Sequence, residues 1–272
     1  MKPLSSWPIE ARRPLIGVFT DIDDTLTTDG AITPDALQAL ADLKAAGIHV
    51  IPITGRPIGW CEPFARGDTV GRIVPWPVDA IVAENGAVAF AWKYPGNPSK
   101  IYQQGDAVRG NNFARMQQVA AEVLRRVPGT VLSQDSPGRE TDIAIDHSEF
   151  THLPPDKIAQ VVLLMQSAGM KVTVSSIHIN GWFGDHNKLE GARWIVQTLF
   201  GRHLDDEIDQ WAYVGDSAND QIMFQYIKNS VGVANIRRFE AELSHPPRLI
   251  SPSERGAGFA EVVRAILQAR SP

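Results

Sequence analysis

The chain has 272 residues, 43% of them hydrophobic and 21% charged, enough to bury a substantial core in one large domain or two modest ones. Its formal net charge of −5 lacks the cationic excess that displaces counterions from a phosphate backbone, so nucleic acid is excluded as the main partner and a small molecule is expected. The lone cysteine, Cys61, cannot close an intramolecular disulfide, and no apolar run approaches the roughly 20 residues of a membrane span, so a cytoplasmic protein without a membrane partner is expected.

In chain order, "MKPLSSWPIEARR" lacks the apolar core of a secretory signal and reads as a mobile or loosely docked arm. The run Leu15 to Thr20 is continuously apolar, as a strand buried on both faces of a parallel sheet would be, and it stops at Asp21. Thr33-Pro34 supplies an N-cap and a first-turn proline for the helix "DALQALADLKAAG", which Gly47 terminates. "IHVIPIT" is a second buried strand ending at Thr54, so strand, helix and strand form a βαβ unit whose ligands belong at the carboxyl ends of the strands. A third short strand with an Asn-Gly turn lies in "AIVAENGAV", and the texture then changes. A Gly/Pro/Asn/Gln-rich stretch at about 92–111 leads to the helix "FARMQQVAAEVLRRV", the alternating "TDIAIDH", the helix "PDKIAQVVLLMQSAG" and the strands "KVTVSS" and "HINGWFG". The first pattern returns with helix "KLEGARWIVQTLF", strand "WAYVG", helix "NDQIMFQYI", strand "SVGVA" and helix "GFAEVVRAILQAR". The fold class is therefore α/β: a doubly wound parallel-sheet core, residues 1–88 and 184–272, carrying an inserted α+β domain at 89–183.

Three carboxylates crowd the end of the first strand in "VFTDIDDTLT", and a second acidic cluster, Asp216, Asn219 and Asp220, follows the buried strand "WAYV". Acids so close repel one another, and one pKa rises unless a cation sits between them. Two acidic strand ends of one parallel sheet share a rim, and hard oxygen ligands with water in the remaining positions describe a Mg²⁺ site. Thr54-Gly55-Arg56 ends the second strand, where a hydroxyl, a flexible backbone N–H and a helix start can hold a phosphate. Lys188 opens a helix, where the macrodipole disfavours a cation unless an anion is near.

"DIDDT", "ITGR", a lysine before a helix and "GDSAND" resemble, in order, the four motifs of the haloacid dehalogenase superfamily of phosphatases. The insert is similar to that family's C2 type of cap and to its IIB subgroup, which includes the Cof-like, sucrose-phosphate and mannosyl-3-phosphoglycerate phosphatases. The resemblance implies a Rossmann-like core and a phosphatase of small, sugar-like phosphate monoesters. Asp21 is then the nucleophile, and Asp23 the acid that protonates the leaving group and the base that activates water. Thr54, Gly55 and Lys188 would hold the phosphate. Asp21, the Asp23 carbonyl, Asp216, Asn219 and Asp220 would hold Mg²⁺. Asp24 stands where many relatives have glycine and carries no catalytic role in this reading.

Substrate identity is expected to come from the insert and its edges: Arg56, Glu84, Asn85, Arg139, Glu140, His178 and Asn180 could hydrogen-bond sugar hydroxyls, with His178 and Asn180 on one strand face. Trp60, Trp92 and Trp182 could stack on a sugar. A phosphomutase of sugar phosphates, or a non-catalytic sensor of a phosphorylated ligand, are the alternatives on the same fold. Composition leaves monomer and homodimer open.

Overall fold

In the computed structural model, residues 1–68, 71–92 and 96–270 are described, so part of the loop-like stretch read at 92–111 lies outside the described residues. Six parallel strands form the central sheet, in the order Lys2–Pro3, Leu249–Ile250, Asn229–Gly232, Trp211–Gly215, Gly17–Thr20 and His49–Pro52. The winding reverses between Gly17–Thr20 and Trp211–Gly215, the place where open α/β sheets bind ligands. Alternation along each strand feeds two cores. Val18, Val50, Val214 and Val231 pack against helices Pro34–Ala45 and Arg255–Gln268, while Phe19, Ile51, Trp211 and Tyr213 pack against helix Lys188–Phe200.

Two expectations are corrected here. The N-terminal segment is not a loose arm. Lys2–Pro3 is an edge strand of the sheet, and Trp7 is 3% exposed, its indole N–H donating to Asn229 Oδ1 at 3.2 Å. An indole of that size buried with its N–H satisfied is an anchor. Nor does the insert begin at 89. Val88–Ala91 and Ser99–Tyr102 pair antiparallel beside Ala80–Ala83, which joins the core through the parallel bridge of Val82 to Ile53. The chain reverses there because Glu84 and Asn85 both take left-handed backbone, φ 49° and 55°, ahead of Gly86 at φ 110°. Asn is among the residues that tolerate that region, and glycine takes it freely.

The inserted sheet is antiparallel, in the order Lys171–Val174, His178–Trp182, Ile143–Asp146 and Val131–Leu132. Helices Asp106–Arg126 and Pro155–Ser167 contribute Met116, Val123, Val161 and Met165 to a separate core, which Ile145 and Ile179 complete from the sheet. Glu84 clasps this unit to the core. Its carboxylate is buried and accepts from the backbone N–H of Ile58 at 3.0 Å, of Glu140 at 3.1 Å and of Thr141 at 2.5 Å, and from the Thr141 hydroxyl.

Helix Lys188–Phe200 approaches the turn at Gly86 so closely that a Cβ on Gly191 would lie 2.6 Å from Gly86 Cα. Gly191→Ala gains up to about 1 kcal/mol in helix propensity but overpacks a rigid backbone contact, which costs about 1–3 kcal/mol. The expected outcome is a net loss of stability with displacement of Lys188, read as a lower urea midpoint at unchanged slope.

Burial, with Asp142 adding repulsion, pushes the Glu84 carboxyl from 4.5 up to about 7, against the hydrogen bonds from Ile58 and Thr141 and the charge of Arg139. Between those values the folded chain holds a proton that the unfolded chain has released. Its contribution to stability is therefore whole below pH 4.5 and is lost as the pH rises to about 7. In urea titrations across that window the decline should be shallower in Glu84→Gln than in wild type, whatever the variant's absolute stability; equal slopes would show that Glu84 does not titrate there.

Candidate active site

Four segments that are distant in sequence meet at the carboxyl ends of the central strands. Asp21 follows Gly17–Thr20 directly, its backbone N–H donating to Val214 O at 2.8 Å, and the residue is 4% exposed. Lys188 is 2% exposed, and its Nζ donates to Asp21 Oδ1 and to Asp220 Oδ1, each at 2.7 Å. A lysine at the first position of a helix opposes the macrodipole; the two carboxylates outweigh that, and the Asn187 side chain caps the N–H groups of Leu189 and Glu190.

Asp220 is occupied on both oxygens. Oδ1 also accepts from the Tyr213 hydroxyl, and Oδ2 accepts from the backbone N–H of Asp216 at 2.9 Å and of Ser217 at 3.1 Å, closing a capping box with Ser217. Asp216 Oδ2 accepts from Asn235 Nδ2 at 3.1 Å, whereas Asp216 Oδ1 is buried without a protein partner. Asn219 accepts from the Ser217 hydroxyl at 2.9 Å and lines the cavity above Asp21.

One lysine thus serves several acids. Burial pulls Lys188 down, but Asp21 and Asp220 outweigh it and hold the ammonium above 10.5. Each acid receives only a share of that cation. Burial raises Asp21 to about 7 despite Lys188, with Asp220 and Asp23 adding to the rise, and burial together with Asp21 and Asp220 raises Asp216 well above 3.8. Asp21, Asp216 and Asp220 each offer an oxygen within 4.8 Å of the others. The donor set is hard oxygen, one oxygen is orphaned, and the charge is under-compensated, so the residues fit a divalent cation such as Mg²⁺.

Thr54 is buried; its Oγ1 accepts from the backbone N–H of Arg56 at 3.0 Å. Gly55 O accepts from Arg139 Nη1 at 3.0 Å and from Asn180 Nδ2 at 3.3 Å, both from the insert. Arg56 spans the seam between the two units. Its Nε donates to both oxygens of Asp23 at 3.0 Å, Nη1 to Asp135 at 3.2 Å and Nη2 to Glu149 at 2.9 Å. Glu149 in turn meets His178 Nε2 at 2.9 Å.

Of the predicted substrate residues, Arg56, His178 and Asn180 line the cavity with Asp21, Asp23, Thr54 and Gly55. Glu84, Asn85 and Arg139 lie outside its lining. Glu84 is consumed by the clasp, and Arg139 by Asp142 at 2.8 Å, Asp135 at 3.2 Å and Gly55 O. Glu140 takes Lys100 Nζ at 2.6 Å and the Tyr102 hydroxyl at 2.5 Å at the surface. Trp60 packs beneath Arg56, whose guanidinium carbon is 5.0 Å from its ring centroid, and Trp182 is buried with its indole N–H on His186 O. Sequence reasoning missed Tyr213, Asn235, Asp135 and Glu149. A hydroxyl in the otherwise apolar "WAYVG" is the one signal that could have pointed to Tyr213.

Asp24 has φ 53° and pairs with Arg255, Nε to Oδ1 3.1 Å. Aspartate tolerates that left-handed region better than most side chains.

The family model for haloacid dehalogenase-like hydrolases matches residues 18–103. A protein of Streptococcus pyogenes serotype M6, provisionally named a phosphatase, is 55% identical over 42 residues, a stretch that spans 15% of this chain and 16% of that protein. Among solved structures, a HAD/COF-like hydrolase from Plasmodium vivax superposes with a TM-score of 0.69 at 16% identity, covering 96% of this chain and 99% of that one. The sucrose-phosphatase of Synechocystis sp. PCC6803, solved with sucrose and phosphate, superposes with a TM-score of 0.62 at 16% identity over 93% of this chain and 98% of that one. Among the described residues no helix is long and apolar enough to cross a membrane. Residues 18–103 thus match the haloacid dehalogenase-like hydrolases, and the fold along nearly the whole chain is shared with the HAD/COF-like hydrolase and the sucrose-phosphatase.

Proposed function

We propose that the protein is a Mg²⁺-dependent phosphatase of small, sugar-like phosphate monoesters that works through an aspartyl-phosphate. The observation that carries this reading is the buried Lys188 bridging Asp21 and Asp220 beside the orphaned oxygen of Asp216. The sugar-like substrate is supported by the fold shared with the sucrose-phosphatase.

In this mechanism Lys188 holds Asp21 Oδ1, which orients the other carboxylate oxygen toward phosphorus. That oxygen attacks, the P–O bond to the leaving group breaks, and Asp23 gives its proton to the departing alkoxide. Asp23 then takes a proton from water, whose oxygen attacks phosphorus; the P–O bond to Asp21 breaks and phosphate leaves. Asp21, Asp216 and the Asp23 carbonyl would hold the metal, with Asn219 through water and Asp220 steering Lys188. A divalent ion bound there supplies charge compensation to the carboxylates and to the phosphoryl oxygens. Thr54 and the Gly55 N–H would hold those same oxygens from the opposite strand end. The inserted unit, from about residue 104 to 183, would close over the site and exclude water during transfer. The cavity above Asp21 has only about 10 Å³ of free volume, room for a single water, so the insert must lift for a substrate to reach it.

The test is phosphate release from a panel of sugar phosphates with Mg²⁺, repeated with EDTA and with Asp21→Asn. Release should be abolished in both controls, and Asp23→Asn should lose about 10²–10⁴-fold in kcat, the range for one acid–base group. An Asp21→Asn protein as active as wild type would remove the nucleophile assignment, and isomerised sugar phosphate without free phosphate would make the protein a mutase.

A further inference from the structure

A second cavity of about 360 Å³ opens beside the small one, within the usual range of ligand pockets. Asp23 and Arg56 line both cavities, whereas Asp21 lines only the small one. If phosphorus sits against Asp21 and its ester oxygen against Asp23, the substituent on that oxygen extends past Asp23 into the larger cavity. That direction leads away from Arg139 and Asn180, toward Asp24, Asp29 and Arg255 of the core and Glu149 and Phe150 of the insert.

The walls of this cavity select by charge. Four carboxylates, Asp23, Asp24, Asp29 and Glu149, face two guanidiniums, Arg56 and Arg255. Both guanidiniums are already matched: Arg56 to Asp23 and Glu149, Arg255 to Asp24 at 3.1 Å and to Asp29 at 3.0 Å. Among the described residues that line the cavity, neither guanidinium is left unpaired for a second anion on the leaving group, and the four carboxylates outnumber the two guanidiniums, so an added carboxylate or phosphate would meet excess negative charge. Hydroxyls find acceptors on the carboxylates and on Ser148 and Thr27. Phe150, 62% exposed, presents an apolar ring to the same space, against which the C–H face of a sugar ring can lie.

We infer that this cavity is the leaving-group subsite, that it takes a neutral polyol, a sugar ring or chain, and that it rejects leaving groups carrying their own anion. The inference rests on the phosphatase reading for the position of phosphorus, and it gives the unusual Asp24 a role in selecting the substrate.

Equilibrium binding separates the two. Calorimetric titration of the Mg²⁺-loaded Asp21→Asn protein, which cannot form the covalent intermediate, would use glucose 6-phosphate as the neutral ester and 3-phosphoglycerate and fructose 1,6-bisphosphate as the anionic ones. The neutral ester should bind about tenfold more tightly or better, the effect of one uncompensated like charge at about 7 Å in a half-aqueous site. Adding Asp24→Asn, whose side chain tolerates the left-handed backbone, should narrow that ratio several-fold, and adding Phe150→Ala should weaken the neutral ester about three- to tenfold. Equal or tighter binding of the anionic esters, or a ratio unmoved by both substitutions, overturns the subsite. The preference present in binding while wild type releases no phosphate from any ester would leave the subsite standing and remove the phosphatase.

Discussion

The site depends on one buried ion cluster in which, among the described residues, Lys188 is the one cation set among Asp21, Asp216 and Asp220. Taking such charges out of water costs several kcal/mol per ion unless geometry and hydrogen bonds compensate. Compensation is complete at Asp220, which accepts from Lys188, Tyr213 and two backbone N–H groups, and incomplete at Asp216, which keeps a bare oxygen. That imbalance suits the cluster to a divalent cation. The rest of the core serves this placement: the parallel pairing of Gly17–Thr20 with Trp211–Gly215 sets Asp21 beside Asp216, and the glycine-on-glycine approach of residues 86 and 191 brings the helix of Lys188 within reach.

The insert meets the core through a second set of charges. Arg56 is the hub, a planar fork whose nitrogens reach the core acid Asp23 and the insert acids Asp135 and Glu149 together. Arg139 answers from the insert, reaching the carbonyl of Gly55. The insert therefore contacts the loop Thr54-Gly55-Arg56, at the end of the strand beside Gly17–Thr20. Two of the three acids that Arg56 reaches belong to the insert, so both units set the charge around Asp23. Glu84 ties the insert's 140–141 loop to the core by hydrogen bonds.

Much of this was legible from local patterns. Continuous apolar runs ending in Asp21, Thr54 and Asp216 identified the buried parallel strands, because a strand covered on both faces has no reason to alternate. The mixed strands and helices of the insert were visible for the opposite reason, the alternation of a sheet with one helix-covered face. What misled was context. The N-terminal segment reads as an arm because two residues of strand carry no periodicity, and only the sheet edge beside Leu249–Ile250 makes Lys2–Pro3 a strand. The sequence reads as an insert from 89 because the hairpin of Val88–Ala91 and Ser99–Tyr102 leaves the parallel order without leaving the core.

The same division runs through the site. The sequence by itself determined the acids at the strand ends, the lysine opening its helix and the α/β class, since each follows from a few consecutive residues and the geometry of a strand or a first helical turn. Tertiary structure alone decided how those groups are used. Glu84, a polar residue that looks available to a substrate, is consumed by partners 57 positions away, Arg139 by neighbours three and four positions away and by the carbonyl of Gly55 84 positions away, while Arg56 and Glu149, 93 residues apart, meet over Asp23. A side chain's hydrogen-bonding capacity is finite and is filled by whatever the fold brings within 3 Å; spacing along the chain carries no information about that, and so none about which polar groups remain free for a ligand.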